Sequence, residues 1–254
     1  MDKNYYNEYY TAERKHWFFR ARNKILMDHV AKLVKDHDLE KPINILNVGV
    51  ATGFTSELLA EQGNITSVEY DEDCYAFTKE NSPNINLVQG SILDLDFEDN
   101  SFDLVCAFDV IEHIEDDKTG VSEMQRVCKP GGLVMVTVPA FMSMWGPHDI
   151  INHHFRRYRK KQLTDLFESP KKLVYSGYFN FFLFPMIWIV RKITNFRFKK
   201  NGSDTSTVKS DLSYSGKEGL ASSILYHTLG SESKLINSGI SLPFGVSILA
   251  SWKK

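Results

Sequence analysis

The chain has only three cysteines, Cys74, Cys106 and Cys128, widely spaced among 254 residues. That spacing excludes a disulfide framework and a cysteine zinc cluster, and it suggests a reducing compartment. It also lacks an excess of charge of either sign, with a formal net charge of −2. Without a basic balance there is no global case for nucleic-acid binding. No uninterrupted apolar run reaches bilayer length; FFLFPMIWIV, 181–190, is ten residues with a proline inside. The opening MDKNYYNEYY is polar and aromatic, unlike a signal peptide. A cytoplasmic protein is expected.

What is present is enough for a core. Hydrophobic residues make up 43% and charged residues 24%, which suits one globular domain with insertions, or a large and a small lobe. Residues 1–40 read as helical, with Phe18, Ile25, Leu26, Val30 and Leu33 near one face. From Pro42 onward, apolar segments near 43–48, 65–70, 85–89, 103–108 and 133–138 read as strands. Amphipathic helices are predicted near 54–62, 72–80 and 117–128, so the alternation argues for a parallel sheet covered on both faces. KPGG, 129–132, reads as a glycine-capped helix end that opens the next strand. After residue 139 the rhythm breaks. A strand is expected near 172–177, then an insertion over 178–240, then a closing strand in SLPFGVSILASWKK.

ILNVGVATGF carries a strand into a glycine-bearing turn and a helix. Gly49 and Gly53 let the backbone turn tightly and approach a ligand, and the amides of the following helix point at it. The spacing lacks the third glycine of G-x-G-x-x-G, which counts against a nicotinamide dinucleotide. The second strand ends in VEY, placing Glu69 where a carboxylate can accept bonds from ribose hydroxyls. Ser91 and Ile92 follow the third strand and Asp109 follows the fourth. All project from carboxyl ends of strands, the ligand edge of open α/β sheets.

With these residues in order, the chain resembles a class I S-adenosylmethionine-dependent methyltransferase of the type-11/type-12 kind. The segments that carry the likeness are ILNVGVATG, VEY, DFEDNSFDLVCAFDVIEHIED and RVCKPGGLVMVTVP, over 45–139. HWFFRAR at 16–22, HDIINHHFRRY at 148–158 and PFGVSILA at 243–250 resemble flanking features of a bacterial subgroup. The resemblance implies an α/β, Rossmann-like seven-stranded sheet with helices on both faces. It implies an N-terminal helical segment (1–40), a core (41–177 plus 241–254) and a helical cap before the last strand (178–240).

The cofactor would be S-adenosylmethionine, leaving S-adenosylhomocysteine as product. Gly49, Ala51 and Gly53 would line its methionine and ribose parts. Glu69 would take the ribose hydroxyls, Tyr70 would pack beside adenine, and Ser91 and Ile92 would lie near the adenine's polar edge. Phe108 and Asp109 would flank the methionine end, with Trp17, Arg20 and Arg22 covering the cofactor and meeting its carboxylate. Asn47, Ala51 and Ser91 depart from the family pattern. Asn47 replaces an acid, Ala51 adds a methyl, and Ser91 stands where an acid often meets the adenine amine.

Transfer to an oxygen or nitrogen needs a positioned nucleophile and a proton acceptor. GPHDIINHHFRRY supplies His148, Asp149, His153 and Tyr158 as candidate catalytic residues, His148 and His153 foremost as bases with pKa near neutrality. D-x-x-E-H at Asp109, Glu112 and His113 would suit a hard divalent ion, but the family pattern often carries this pair without one, so no metal is expected. RRYRKK, 156–161, would be a solvated face or meet an anionic group of the substrate. The segment 181–200, apolar then basic, would be cap core, substrate wall or a peripheral membrane contact. The acceptor would be an organic molecule, anionic or lipid-linked, that this sequence does not name. The rival readings are a non-catalytic cofactor-binding scaffold and a nicotinamide-dependent oxidoreductase.

Overall fold

A computed structural model describes residues 3–167, 172–200 and 219–254. Helices α1 (Lys3–Lys15) and α2 (Trp17–Asp36) come first, broken at His16, whose Nδ1 accepts the Phe18 amide at 3.2 Å. Then follow β1 (Ile43–Val48), α3 (Phe54–Leu59), β2 (Gly63–Glu69), α4 (Glu72–Asn81) and β3 (Asn86–Gln89). Next are β4 (Phe102–Phe108), a 3-10 turn (Ile111–His113), α5 (Asp117–Val127) and β5 (Cys128–Pro139). A second 3-10 turn (Met142–Met144), α6 (Pro147–Ile151) and α7 (Lys160–Thr164) lead to β6 (Leu173–Phe179). The chain ends with α8 (Phe184–Lys200), α9 (Leu220–Gly230), α10 (Glu232–Asn237) and β7 (Ser247–Lys253). Asp71 caps α4 by accepting the Cys74 amide at 2.8 Å, and Asp116 caps α5 through Thr119 at 3.0 Å.

The seven strands lie in the order β3-β2-β1-β4-β5-β7-β6. The first five run parallel, and β7 is antiparallel to both its neighbours. Leu46, Val48, Val105, Val134 and Ile248 face α5 and α7 in one apolar layer. Ile45, Leu104, Leu133, Met135 and Leu249 face α2, α9 and α10 in the other. Burial on both faces explains why these strands read as near-continuous apolar runs. Truncating a fully buried leucine such as Leu46 or Leu104 to alanine costs about 2–5 kcal/mol.

Two local expectations change. KPGG lies inside β5, and α5 ends on Cys128 in extended backbone. Gly131 does adopt a left-handed φ of +82°, but it serves an irregularity where the β4–β5 register shifts between Phe102 and Leu104. The single helical segment expected over 1–40 also divides into two helices with different places. Ala21, Ile25, Leu26, Val30, Leu33 and Val34 of α2 are buried against the sheet, so α2 is a layer of the core, and only α1 lies over the ligand edge.

Candidate active site

Parallel strands in this order place the carboxyl ends of β3, β2, β1 and β4 side by side. Val48 is level with Val68 and with Ala107, and Glu69 is level with Gln89. The chain leaves β1 toward β2 and β3, then returns to β4 on the other side of β1, which opens a crevice at that switch. Gly49–Gly53, Glu69, Ser91 and Asp109 therefore share one edge.

The β1–α3 turn is held by its neighbours. Gly49 (φ +75°) leaves no room for a Cβ, which would fall 2.4 Å from Val110 Cγ2. Ala51 is also left-handed, at φ 50°, and its carbonyl accepts Thr78 Oγ1 at 2.6 Å and Cys74 Sγ at 3.0 Å. Those bonds offset the cost of a left-handed alanine. Asn47 is buried beneath the turn and donates to Ser56 Oγ at 2.9 Å, while its Oδ1 has no partner among the described residues.

Glu69 is buried and ties two strand tips together. Its Oε2 accepts the Val50 and Ala51 amides at 3.1 and 3.2 Å, and its Oε1 accepts the Tyr70 and Asp71 amides at 3.0 Å each. Burial raises its pKa even so, because desolvation outweighs the four amides. Tyr70 beside it is 77% exposed, an open ring face at the tip of β2. Ser91 turns the chain after β3 and its Oγ accepts the Leu93 amide at 3.2 Å, whereas the Ile92 side chain is core, packed among buried residues. Phe108 is likewise core.

Asp109 (φ 57°) ends β4 and pairs with Arg22 of α2 at 2.7 Å. Thr137 of β5 completes the group, donating to Asp109 Oδ1 at 3.1 Å. Trp17 is half-buried at the start of α2, with its ring against His16 and Phe18. Across the crevice lies α1. Its Tyr6 donates to Asp71 at 3.0 Å, its Arg14 pairs with Glu57 at 2.6 Å, and its buried Glu13 accepts from Thr52. Burial lifts the Glu13 pKa to about 7. Sequence reasoning missed Tyr6, Glu13, Arg14 and Thr52. The one signal was their position in a polar-aromatic helix ahead of α2.

The segment after β5 arranges its residues inward. Asp149 is fully buried, 2.7 Å from Arg157, 3.0 Å from His154 and 3.5 Å from Arg191, and it also accepts the Gly146 amide at 2.9 Å. Although burial pushes its pKa up, His154 and the guanidiniums hold it at about 2. Tyr158 is buried and donates to Asp117 at 2.7 Å, with its pKa well above the usual phenol range through burial and that carboxylate. These two side chains brace the segment. His148 contacts Asn152 Nδ2 at 3.0 Å, and His153, left-handed at φ 55°, is exposed on the turn after α6. RRYRKK is not a solvated face throughout: Arg157 is buried on Asp149, and Arg156 pairs with Asp117 at 2.7 Å.

A hollow of about 370 Å³ near Val34, Lys41 and Gln62 lies at the amino ends of β1 and β2, away from this edge. A second, about 290 Å³, lies just past β5 between Phe141, Met142, Ser143, Arg159 and Gln162. The donor set at the crevice fits an adenosyl ligand: an acid, an exposed ring and a tight turn on one edge. Glu69 already accepts four amides, so in such a site it would be a shared acceptor.

Comparison with known proteins gives the same reading. Residues 46–136 match the family described as Methyltransferase domain. A Mycolicibacterium smegmatis protein named "Probable S-adenosylmethionine-dependent methyltransferase" is 29% identical over 161 residues, 62% of this chain and 60% of its own length. The Staphylococcus aureus demethylmenaquinone methyltransferase is 32% identical over 127 residues, 45% of this chain and 53% of its own. The chain thus spans less than two thirds of these curated relatives. A Bacillus halodurans protein described as a "putative methyltransferase" shares the fold, with a TM-score of 0.54 at 20% identity over 89% of this chain and 98% of that one. Fold, motif order and matched segment agree: residues 46–136 form a domain similar to those of the class I S-adenosylmethionine-dependent methyltransferases.

Proposed function

We propose that this chain transfers a methyl group from S-adenosylmethionine to an oxygen or nitrogen of an organic acceptor. The observation that carries the reading is the convergence of the Gly49–Gly53 turn, Glu69, Tyr70 and Asp109 on one crevice. When bound, the cofactor supplies a methyl on a cationic sulfonium that a nucleophile can displace in line. Glu69 would hold the ribose, Tyr70 the adenine face, and Arg22 with Asp109 the methionine end. The turn of Gly49, Ala51 and Gly53, with Asn47 beneath it, would shape the floor. Helix α1 would close the crevice and exclude water, so alignment of the acceptor does most of the work. His153, exposed on the turn after α6, and His148 on α6 are the proposed proton acceptors; Asp149 and Tyr158 would act by bracing the segment that carries them.

The acceptor in this proposal is amphiphilic and anionic. The hollow past β5 has the exposed Arg159 on its wall. Helix α8 exposes Trp188, Ile189, Val190, Ile193 and Phe196 together with Lys192 and Arg197, a composition suited to a lipid surface. The staphylococcal relative's name, demethylmenaquinone methyltransferase, supports the apolar half of that description. Among the described residues no helix is long and apolar enough to cross a membrane, so any such contact is peripheral.

Calorimetry with S-adenosylhomocysteine tests the cofactor half; the expected dissociation constant is micromolar or tighter, and no heat and no thermal shift would overturn it. Transfer of labelled methyl to lipid and soluble acceptor pools tests the other half. Binding without transfer to any pool favours a cofactor-binding scaffold.

A further inference from the structure

The turn after β4 holds a carboxylate that nothing in the mechanism uses. Glu112 is fully buried, and among the described residues neither carboxylate oxygen has a hydrogen-bond partner beyond its own backbone amide. Burial of such a group is costly unless something satisfies it. Two imidazoles stand beside it. Ligand atoms of Glu112, His113 and His154 all lie within 4.8 Å of one another, and the two rings meet edge to face at 4.5 Å between centroids.

Each ring is already oriented by its other side. His154 Nδ1 bonds Asp149 Oδ1 at 3.0 Å, which leaves Nε2 with its lone pair. His113 bonds the backbone of Asn152. Asp149 is in turn locked by Arg157 at 2.7 Å. A carboxylate behind a histidine is the usual outer support of a metal ligand. We propose that Glu112, His113 and His154 bind one divalent transition-metal ion of the zinc class. Two nitrogens and one oxygen suit Zn2+, Co2+ or Fe2+ rather than the all-oxygen shells of Mg2+ and Ca2+. Ligand atoms on a tetrahedral zinc stand about 3.3 Å apart, so the set contracts around the ion by side-chain rotation. His113 is exposed, which leaves a fourth position open to water or to an oxygen of the acceptor, which the ion would polarise. Asp109 lies three residues earlier on the same turn, so the ion would border the crevice.

D-x-x-E-H alone carries no such assignment. The third ligand comes from a loop 41 residues away, brought over β4 by the Phe155 amide bonding the Glu112 carbonyl at 2.8 Å.

Titration of the metal-free chain with Co2+ alone tests the site without S-adenosylmethionine, so its outcome is separate from that of methyl transfer. The expected result is one equivalent bound with the intense visible absorption of four- or five-coordinate cobalt, displaced by Zn2+ and not by Mg2+. Glu112→Gln keeps size and removes a carboxylate with no partner beyond its own amide among the described residues, so it should fold, as near-ultraviolet circular dichroism would report. It should weaken Co2+ at least about tenfold, as should His154→Ala, while His227→Ala on the exposed side of α9 changes nothing. The proposal is overturned if cobalt keeps the spectrum of the aqueous ion, or if folded Glu112→Gln binds it as tightly as the parent.

Discussion

Glu69 and Asp149 are both buried carboxylates at the same edge of the sheet, and they end up on opposite sides of their ordinary pKa. Glu69 is held by four backbone amides, without an ion pair among the described residues, and burial raises its pKa. Asp149 has two guanidiniums and an imidazole, and its pKa falls to about 2. Partial charges on amides do not repay the loss of water here; whole charges at short range do. The first arrangement keeps a carboxylate available as an acceptor on a ligand edge. The second ties a loop together through Arg157, His154 and Arg191.

The largest effect that would break this contrast is at Asp149. Asp149→Ala leaves Arg157 buried without its partner and should cost about 3–5 kcal/mol, read from urea unfolding at neutral pH. Because the folded pKa lies below the unfolded value of 3.8, the parent's Asp149 contribution is full above about pH 4. It should fade as pH falls through about 2, and Asp149→Ala should lack that acid limb.

Glu13 tests the opposite sign. Its pKa rises from 4.5 to about 7 on burial, so the folded chain holds a proton that the unfolded chain releases. Stability should therefore decline as pH rises from 4.5 to 7, by at most about 3 kcal/mol. Glu13→Gln should flatten that decline in a pH series of thermal unfolding. A parent curve already flat in this window would remove burial of Glu13 under α1 from the account.

Smaller again is Glu69→Gln. One amide oxygen cannot accept four N–H groups, and the new NH2 faces donors, so about 1–3 kcal/mol of stability should go. Affinity for S-adenosylhomocysteine should fall at least about tenfold, measured by calorimetry. If affinity holds while stability drops, Glu69 is a strand tie only, and the comparison with Asp149 becomes one of two structural acids. The smallest effect is expected at Tyr70, which is 77% exposed and supports nothing inside the protein. Tyr70→Ala should leave unfolding unchanged and weaken S-adenosylhomocysteine by about 0.5–1.5 kcal/mol, the worth of one aromatic stack.

The alternation of strands and helices through residue 139 was legible because each segment's own pattern states which faces are buried. The edge residues were legible for the same reason: a strand's carboxyl end in a parallel sheet has one destination. Gly49, Glu69 and Asp109 could be placed together from order alone. After β5 this logic failed. Asp149, Arg157, His154 and Tyr158 are residue types suited to catalysis, and their side-chain chemistry is indistinguishable in sequence from that of a buried brace. Tyr158 reaches Asp117 across 41 positions, a pairing no local pattern encodes. The break at His16, which separates a core helix from one lying over the crevice, was also missed, since both halves are helical.

By itself, then, the sequence determined the alternation of strands and helices and which turns share the ligand edge, because those follow from periodicity and short-range backbone geometry; the cofactor class came from resemblance to a known family. Only the tertiary structure decided which charged groups meet each other: whether a histidine faces solvent, a buried acid or another histidine. Such contacts join segments far apart in the chain, and burial sets their strength.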